Sequence, residues 1–269
     1  KDQTMKGFNK GKTVLEFDKI MSIASGFAYT DSGKQAILDS VPSPDPVVVN
    51  RLLDETEEAL HLLTYKGAPP LSCASGIANA VDRSYKGAVL TPQELLSLAS
   101  LLRTAIAVKQ YGAGKEHKAL AVYFGELVEQ RPLADEIERI IIAEDMIADE
   151  ASRELAEIRR KIRESNNRIK ETLQHYISGS YSKILQDNIV TMRNGRYVIP
   201  VKAECKNEIK GLLHDTSSSG ATIFIEPIAV VEQNNALKEL ELAEAKEIER
   251  ILYELSDQVA EISEILTFN

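Results

Sequence analysis

The stretch NIVTMRNGRYVIPVK, residues 188–202, has a pattern unlike the rest of this chain. Two runs rich in β-branched residues flank Asn194 and Gly195, a dipeptide that readily adopts the positive φ angles of a type I′ turn. The surrounding sequence has helical periodicity, so this segment marks a change of structure. The sequence predicts a tight β-hairpin here, and the rest of the organisation can be worked out from it.

The register of this hairpin gives its two faces different chemistry. One face is apolar and suited to burial; it carries Val190, Met192, Tyr197 and Ile199. The opposite face is polar; it carries Thr191, Arg193, Arg196 and, further along, Lys202. Arg193 and Arg196 face each other and repel, and contact with a polyanion would reverse that cost. Solvation of both side chains at a hairpin tip is the alternative that remains open.

Positive charge continues after the hairpin, although the chain as a whole is acidic. The net charge of −9 argues against a protein that coats nucleic acid through bulk charge, but it permits a local basic surface. We predict that this surface contacts phosphates without reading base sequence. Its predicted members are Arg193, Arg196, Lys202, Lys206 and Lys210.

The stretch HDTSSSGATIFIEP, residues 214–227, contains the residue types of a serine hydrolase. Neighbouring side chains on a strand point to opposite faces, so His214 and Asp215 are poorly placed to orient each other. No GxSxG motif is present either. We therefore predict no catalytic residue, and instead two more strands joined by a polar turn that Gly220 closes. Residues 181–227 would form a small antiparallel sheet, the only β-rich part, with Pro200 at an edge or a bulge.

The amino-terminal part has helical patterns with clear start signals. Thr91 and Glu94 fit a capping box with Pro92 at the first helical position, and Asp45 precedes another helix. Apolar residues then recur at helical spacing; they are Leu95, Leu98, Leu102 and Ile106. The first 12 residues lack the apolar core of an export signal and are left out of the fold prediction.

Two long helical patterns flank the β-rich segment. Residues 140–152 interrupt the first periodicity, and a helix of about 39 Å at 1.5 Å per residue is predicted from Ser152 to Ile177. Its apolar positions are Leu155, Ile158, Ile162, Ile169 and Leu173, with Asn166 and Asn167 near the seam. The second pattern carries Leu237, Leu240, Ile248, Ile251, Leu255, Val259, Ile262 and Leu266. Seams of matching period predict a long antiparallel coiled-coil arm with a small β domain at its tip.

Other classes of site lack support in the sequence. Cys73 and Cys205 are far apart without CxxC spacing, which indicates reduced thiols in a cytoplasmic protein rather than disulfides. The histidines His61, His117 and His175 are isolated, and the glutamates near the end fit a solvated helix face, so no metal site is predicted. No GxxxxGK[ST] motif and no run of about 18 apolar residues occurs. We predict no cofactor in this chain and no membrane contact.

Several segments together resemble the amino-terminal half of the bacterial MutS type-2 proteins, the MutS paralogues that usually end in an Smr domain. The matching segments are LEFDKI (15–20), GAVLTPQELL (87–96), EASRELAEIRRKIR (150–163), IVTMRNGRYVIPVKAE (189–204), LLHDTSSSGATIFIEP (212–227) and VVEQNNALKEL (230–240). The resemblance covers nearly the whole chain from about residue 13. The RNGRYVIPVK and SGATIFIEP blocks are fairly specific to this subfamily.

The resemblance implies a mainly α fold in four parts. These are a helical core domain (13–140), a first lever helix (141–180), a β-rich clamp (181–227) and a returning lever helix (228–269). An ATPase of the ABC class and an Smr nuclease domain would follow in the family, so the chain is expected to be a fragment without enzymatic activity of its own.

The resemblance also implies partners. The full-length parent would bind ATP and Mg²⁺, form a homodimer, and act on branched or mismatched DNA in suppression of recombination, or on the ribosomal RNA of stalled ribosomes. The clamp would contact the nucleic acid, and the levers would transmit the nucleotide state of the ATPase. A structural alternative also fits the long seams, namely a coiled-coil adaptor that dimerises or binds protein partners.

Overall fold

The computed structural model describes residues 12, 14–72, 76–114 and 118–268, and helices predominate in these ranges, which confirms the mainly α prediction. The helices are α1 (Phe17–Ser25), α2 (Asp31–Leu38), α3 (Pro46–Lys66), α4 (Ile77–Tyr85), α5 (Pro92–Tyr111), α6 (Ala121–Glu126), α7 (Arg131–Ile140), α8 (Arg153–Ser178), α9 (Ile228–Glu261) and α10 (Ser263–Phe268). The contacts divide the chain into a first unit (1–146 with 252–269) and a second unit (147–251). The predicted four-part division stays a prediction.

Two helices of the first unit start where the sequence signals predict. Thr91 and Glu94 form the predicted capping box at α5, and the Asp45 side chain accepts a hydrogen bond from Val47 N at α3. The predicted apolar stripe of α5 is buried; it consists of Leu95, Leu98, Leu102 and Ile106. Helix α7 packs against α5 and contributes buried apolar residues as well. This part of the core follows from periodicity and capping alone.

A short β-hairpin between α7 and α8 corrects the prediction that residues 181–227 are the only β-rich part. Strand β1 (Ile141–Ala143) pairs with β2 (Met146–Ile147) in a two-stranded sheet. Only two or three residues lie in each strand, which is too few for the period-2 alternation of a strand to be recognised in a sequence.

The second unit contains a four-stranded antiparallel sheet of β3 (Thr191–Arg193), β4 (Arg196–Lys202), β5 (Gly211–Thr216) and β6 (Thr222–Pro227), in the order β3-β4-β6-β5. The predicted hairpin register is confirmed, since Arg193 lies opposite Arg196 and Met192 opposite Tyr197. The turn is the predicted one, with φ of 52° at Asn194 and 71° at Gly195. The small antiparallel sheet is therefore present as predicted.

Pro200 lies in an interior strand with regular pairing to β6, so the prediction that it marks a sheet edge or a bulge was wrong. Strand β4 has β6 on one side, and on the other it has β3 and then an isolated bridge between Leu185 and Val201. At that bridge the Pro200 carbonyl accepts a hydrogen bond from Gln186 N at 2.9 Å. The proline nitrogen points to this side of β4, away from β6. Its missing N–H therefore leaves the β4–β6 hydrogen bonds intact.

Burial on the sheet differs in part from the predicted faces. Ile199 is fully buried, but Met192, on the predicted apolar face, is 44% exposed because β3 is a short edge strand. Val198 lies on the face with the arginines and is nevertheless fully buried. The alternation of the sequence therefore fixes the pairing, while burial depends on what packs on each side of the sheet.

Helices α8 and α9 run in opposite directions in the second unit. Ser152 Oγ donates to Glu247 Oε1 at 2.6 Å, and Arg159 Nε donates to Glu244 Oε1 at 2.7 Å. The residue numbers of the contacting pairs therefore increase along α8 and decrease along α9. The sheet shares one apolar core with both helices. Its buried members are Ile169, Leu173, Leu185, Ile199, Val201, Ile209, Ile223, Ile225, Val230 and Leu237.

Candidate functional site

The two arginines of the hairpin are held by carboxylates of the same unit. Arg196 Nη1 donates to Glu226 Oε1 at 2.7 Å, and its Nη2 donates to Asn235 Oδ1 at 2.5 Å. Arg193 Nε lies 3.3 Å from Asp215 Oδ2, and its guanidinium stacks over the Phe224 ring at 3.9 Å. These contacts offset the predicted repulsion across the turn.

Glu226 is the centre of a polar cluster that sequence reasoning missed. Its side chain is fully buried, and Oε1 accepts hydrogen bonds from Arg196 and from Asn234 Nδ2 at 2.8 Å. Its other oxygen lies 2.5 Å from Nε2 of His214. A buried carboxylate requires such partners, because an unpaired charge at this depth is strongly unfavourable. Its partners lie 8 to 30 residues away in sequence, so no local motif announces the cluster.

The same cluster joins the hairpin to both long helices. Asn234 of α9 accepts from Tyr197 N at 3.2 Å and donates to Tyr197 O at 3.1 Å, in the manner of a neighbouring strand. The Tyr197 hydroxyl donates to Asn166 Oδ1 of α8 at 2.8 Å. Asn166, which the sequence places near the seam, thus bonds to the sheet. The hairpin is consequently fixed in orientation relative to α8 and α9.

The three predicted lysines lie at the other end of β4. Lys202 Nζ donates to the Lys183 carbonyl at 3.0 Å, while Lys206 and Lys210 lie in the exposed segment between β4 and β5. Among the residues that the structure describes, the ammonium groups of these three lysines have no carboxylate partner. Glu204 and Glu208 lie in the same segment. The five predicted contacts therefore form two groups, paired arginines and unpaired lysines.

The serine-rich stretch forms the predicted turn. Gly220 has φ of 71°, and its N–H donates to Ser217 O at 2.8 Å. Ser217 Oγ accepts from Thr222 N at 3.0 Å, whereas His214 bonds to Glu226 and not to a serine. The pairing of β5 with β6 is also interrupted by a bulge between Leu213 and Asp215, at the position of His214. The arrangement has no nucleophile next to a base.

Within the described ranges, the candidate thiols and histidines belong to no group of side chains that could hold a metal ion. Burial raises the pKa of Cys205, which makes its thiolate less available, and the nearby carboxylate of Glu208 acts in the same direction. Cys73 and His117 lie outside the described residues. His61 stacks on Tyr65 with ring centroids 4.3 Å apart.

Glu247 of α9 and Asp149, just before α8, are acidic groups of the second unit with lowered pKa values. The hydrogen bond from Arg250 is the largest influence on the buried Glu247 and lowers the pKa of its carboxyl against the opposing effect of burial. The Ser152 hydroxyl lowers it further. Hydrogen bonds from Arg159 and then Arg163 lower the pKa of Asp149. Both carboxylates are therefore stabilised in their charged form at the helix pair.

Comparison with known proteins places these features in a family. No family model matches the chain. It is 43% identical over 256 residues to the endonuclease MutS2 of Ruminiclostridium cellulolyticum. This alignment covers 93% of this chain and 32% of that protein. This chain belongs to the MutS2 subfamily. The MutS2 proteins of Clostridium beijerinckii and Clostridium perfringens are each 41% identical to it, over 91% and 95% of the chain and 32% and 33% of their own length.

The chain thus spans about a third of the length of the MutS2 relatives it matches. ATP and Mg²⁺, which the family resemblance implies for the full-length protein, do not fit the residues present. The sequence has no GxxxxGK[ST] motif, and no three His, Cys, Asp or Glu side chains are grouped to hold a metal ion in the described ranges. Within those ranges, no helix has the length and hydropathy of a membrane span.

Proposed function

We propose that the second unit is the lever and clamp module of a MutS2 protein, in which the sheet holds the phosphate backbone of DNA or ribosomal RNA. The observation that carries this proposal is a group of lysines at and after the end of β4, in a chain of net charge −9. Lys202 is half-buried, Lys206 and Lys210 are exposed, and none has a carboxylate partner among the described residues. Residues 181–227 contain six Lys or Arg against five Asp or Glu, so the acidic surplus of the chain lies elsewhere. A local reversal of charge favours contact with a polyanion.

The lysines are better suited to phosphate contact than the arginines. Lys202, Lys206 and Lys210 can meet a phosphate without giving up a carboxylate partner. Arg196 would have to leave the buried Glu226, which is costly. Arg193 is an intermediate case, since its side chain is 37% exposed beside Asp215. We therefore assign the main phosphate contacts to the lysines and a supporting one to Arg193.

The two long helices supply the proposed lever. Helix α8 has 26 residues, or about 39 Å at 1.5 Å per residue, and α9 has 34. Polar contacts and a shared core connect both to the sheet. In this proposal the pair of antiparallel helices transmits the state of a distant ATPase to the clamp. That ATPase, the Smr nuclease domain and a homodimer are proposals for the whole protein.

The test uses a triple variant, Lys202→Gln with Lys206→Gln and Lys210→Gln. Because each lost phosphate contact removes counterion release, affinity for a labelled branched DNA at fixed salt should fall by at least about tenfold. The matched control replaces three exposed lysines of the first unit, Lys19→Gln with Lys34→Gln and Lys86→Gln, and should bind as the unmodified chain does.

A second arm with ribosomal RNA compares the two polyanions under the same conditions. Equal losses in the triple variant and its control would reject the clamp assignment. In that case the coiled-coil adaptor is the function to pursue, and light scattering of the chain with and without residues 181–227 would measure its self-association.

A further inference from the structure

A stacked pair of tyrosines, one of them exposed, lies at the end of α8 in the second unit. The rings of Tyr176 and Tyr181 stack with centroids 5.2 Å apart and an interplanar angle of 27°. Tyr176, near the end of α8, is half-buried and packs against the apolar core of the unit. Tyr181 lies in the 3₁₀ turn Ser180–Lys183 and is 41% exposed. The inner ring is therefore anchored, and the outer ring faces solvent.

Hydrogen bonds connect this pair directly to the basic segment. Ile184 N donates to Tyr181 O at 3.0 Å, and Lys202 N donates to Ile184 O at 3.0 Å. Lys202 Nζ also donates to the Lys183 carbonyl. Lys183 is exposed and, in the part of the chain that the structure describes, its ammonium group has no ion pair. Hydrogen bonds through the backbone thus connect the turn that carries Tyr181 and Lys183 to the end of β4 at Lys202.

We propose that Tyr181 is a stacking platform for an unpaired nucleobase, with Lys183 and Lys202 on the adjoining phosphates. Proteins that hold single strands combine these two elements, because every base has a π-face and every linkage a phosphate. A paired base in a duplex cannot offer its face to a side chain, so the platform selects single-stranded segments, as found at branches and loops. The proposal rests on the nucleic-acid function proposed above and adds a preference for unpaired bases.

The neighbouring side chains support this ligand over a protein partner. Tyr181 is a single exposed ring in a polar segment, with Ser180 and Ser182 on either side, rather than part of a broad apolar surface. Stacking from Tyr176 fixes its position in advance, which lowers the entropic cost of binding a base. One ring and two ammonium groups match the repeating unit of a nucleic-acid strand.

The first experiment compares variants of the 269-residue chain by fluorescence anisotropy with labelled oligonucleotides of about 16 thymidines or uridines, and with the DNA duplex of the same length. Tyr181→Leu should weaken binding of both single strands by about five- to hundredfold and change duplex binding by less than about twofold. Tyr181→Phe should bind as the unmodified chain does, since the ring face is retained. Loss with Tyr181→Phe as well would overturn the stacking role.

The lysine triple variant separates this proposal from the one on which it rests. If binding falls in the lysine variant but not in Tyr181→Leu, the proposed phosphate contacts are supported and the stacking role of Tyr181 is rejected. Unchanged binding in both variants would reject the two proposals together. A thermal melt by circular dichroism shows whether Tyr181→Leu remains folded.

A second readout does not depend on that variant. The chain contains no Trp, so Tyr181→Trp introduces a single reporter at the site. The thymidine oligonucleotide should quench its fluorescence to saturation, and the midpoint of this titration should equal the midpoint measured by anisotropy. The duplex should quench it much less. Tyr253→Trp places the reporter at a Tyr that is 53% exposed in the first unit and should not respond. A Tyr181→Trp signal that stays constant at saturation would contradict the proposal.

Discussion

The arginines beside the turn between β3 and β4 and the lysines at and after the other end of β4 lie in one β-rich segment, residues 181–227, yet their surroundings differ. Arg196 contacts a fully buried carboxylate, and Arg193 contacts Asp215 and Phe224. Lys202 at the end of β4 is half-buried, Lys206 and Lys210 after it are exposed, and none of the three has a carboxylate partner within the described part of the chain. The same positive charge therefore stabilises the fold at one end and is available to a ligand at the other.

The largest expected effect tests the structural half of this comparison. Arg196→Ala leaves the carboxylate of Glu226 without its cation, so the free energy of unfolding of the second unit should fall by about 3 kcal/mol. Arg193→Ala is the matched control, with a partly exposed partner, and should cost less than about 1 kcal/mol. Urea unfolding followed by circular dichroism measures both. Similar losses in the two variants would show that the arginines are equivalent.

The turn between the two arginines provides a smaller test. Gly195 has φ of 71°, a conformation that a side chain disfavours by about 1 kcal/mol, so Gly195→Ala should destabilise the unit by that amount. Gly125 lies in α6, where an added Cβ would have open space, and Gly125→Ala should be neutral or slightly stabilising. Equal unfolding midpoints for the two alanine variants would argue against the type I′ turn.

A smaller effect concerns the pH dependence of the helix pair. The pKa of Glu247 is lowered in the folded chain, so its contribution to stability is present above the ordinary value of 4.5 and is lost as the pH falls through the folded value. Glu247→Gln should therefore make the loss of stability below pH 4.5 shallower. Unfolding free energies measured across that range in both proteins check this, and parallel curves would contradict it. Glu249→Gln, at an exposed position of α9, serves as the control.

Much of this architecture could be predicted from local sequence. Asn194 and Gly195 set the turn and thereby the register of β3 and β4, and Thr91 with Glu94 sets the start of α5. The limits of the long helix α8 were also within one residue of the prediction, because its cap Ser152 and its apolar period are both local features. These features depend on residues within a few positions of each other.

The remaining features depend on contacts between distant residues. The role of Arg196 could not be found from the hairpin, since Glu226 and Asn235 lie 30 and 39 residues further along the chain. Pro200 was misplaced because the side on which its nitrogen lies is set by the Leu185 bridge. For the same reason, the division of the basic residues into paired arginines and unpaired lysines became visible only in three dimensions.

The most direct test of the central claim is the salt dependence of nucleic-acid binding. In a plot of log affinity against log salt concentration, each phosphate contact contributes about −0.9 to the slope on duplex DNA. The variant with Lys202→Gln, Lys206→Gln and Lys210→Gln should therefore have a slope shallower by roughly two to three than that of the unmodified chain. The first-unit control with Lys19→Gln, Lys34→Gln and Lys86→Gln should keep the original slope. Parallel lines for all three proteins would contradict the assignment of these lysines to the phosphate backbone.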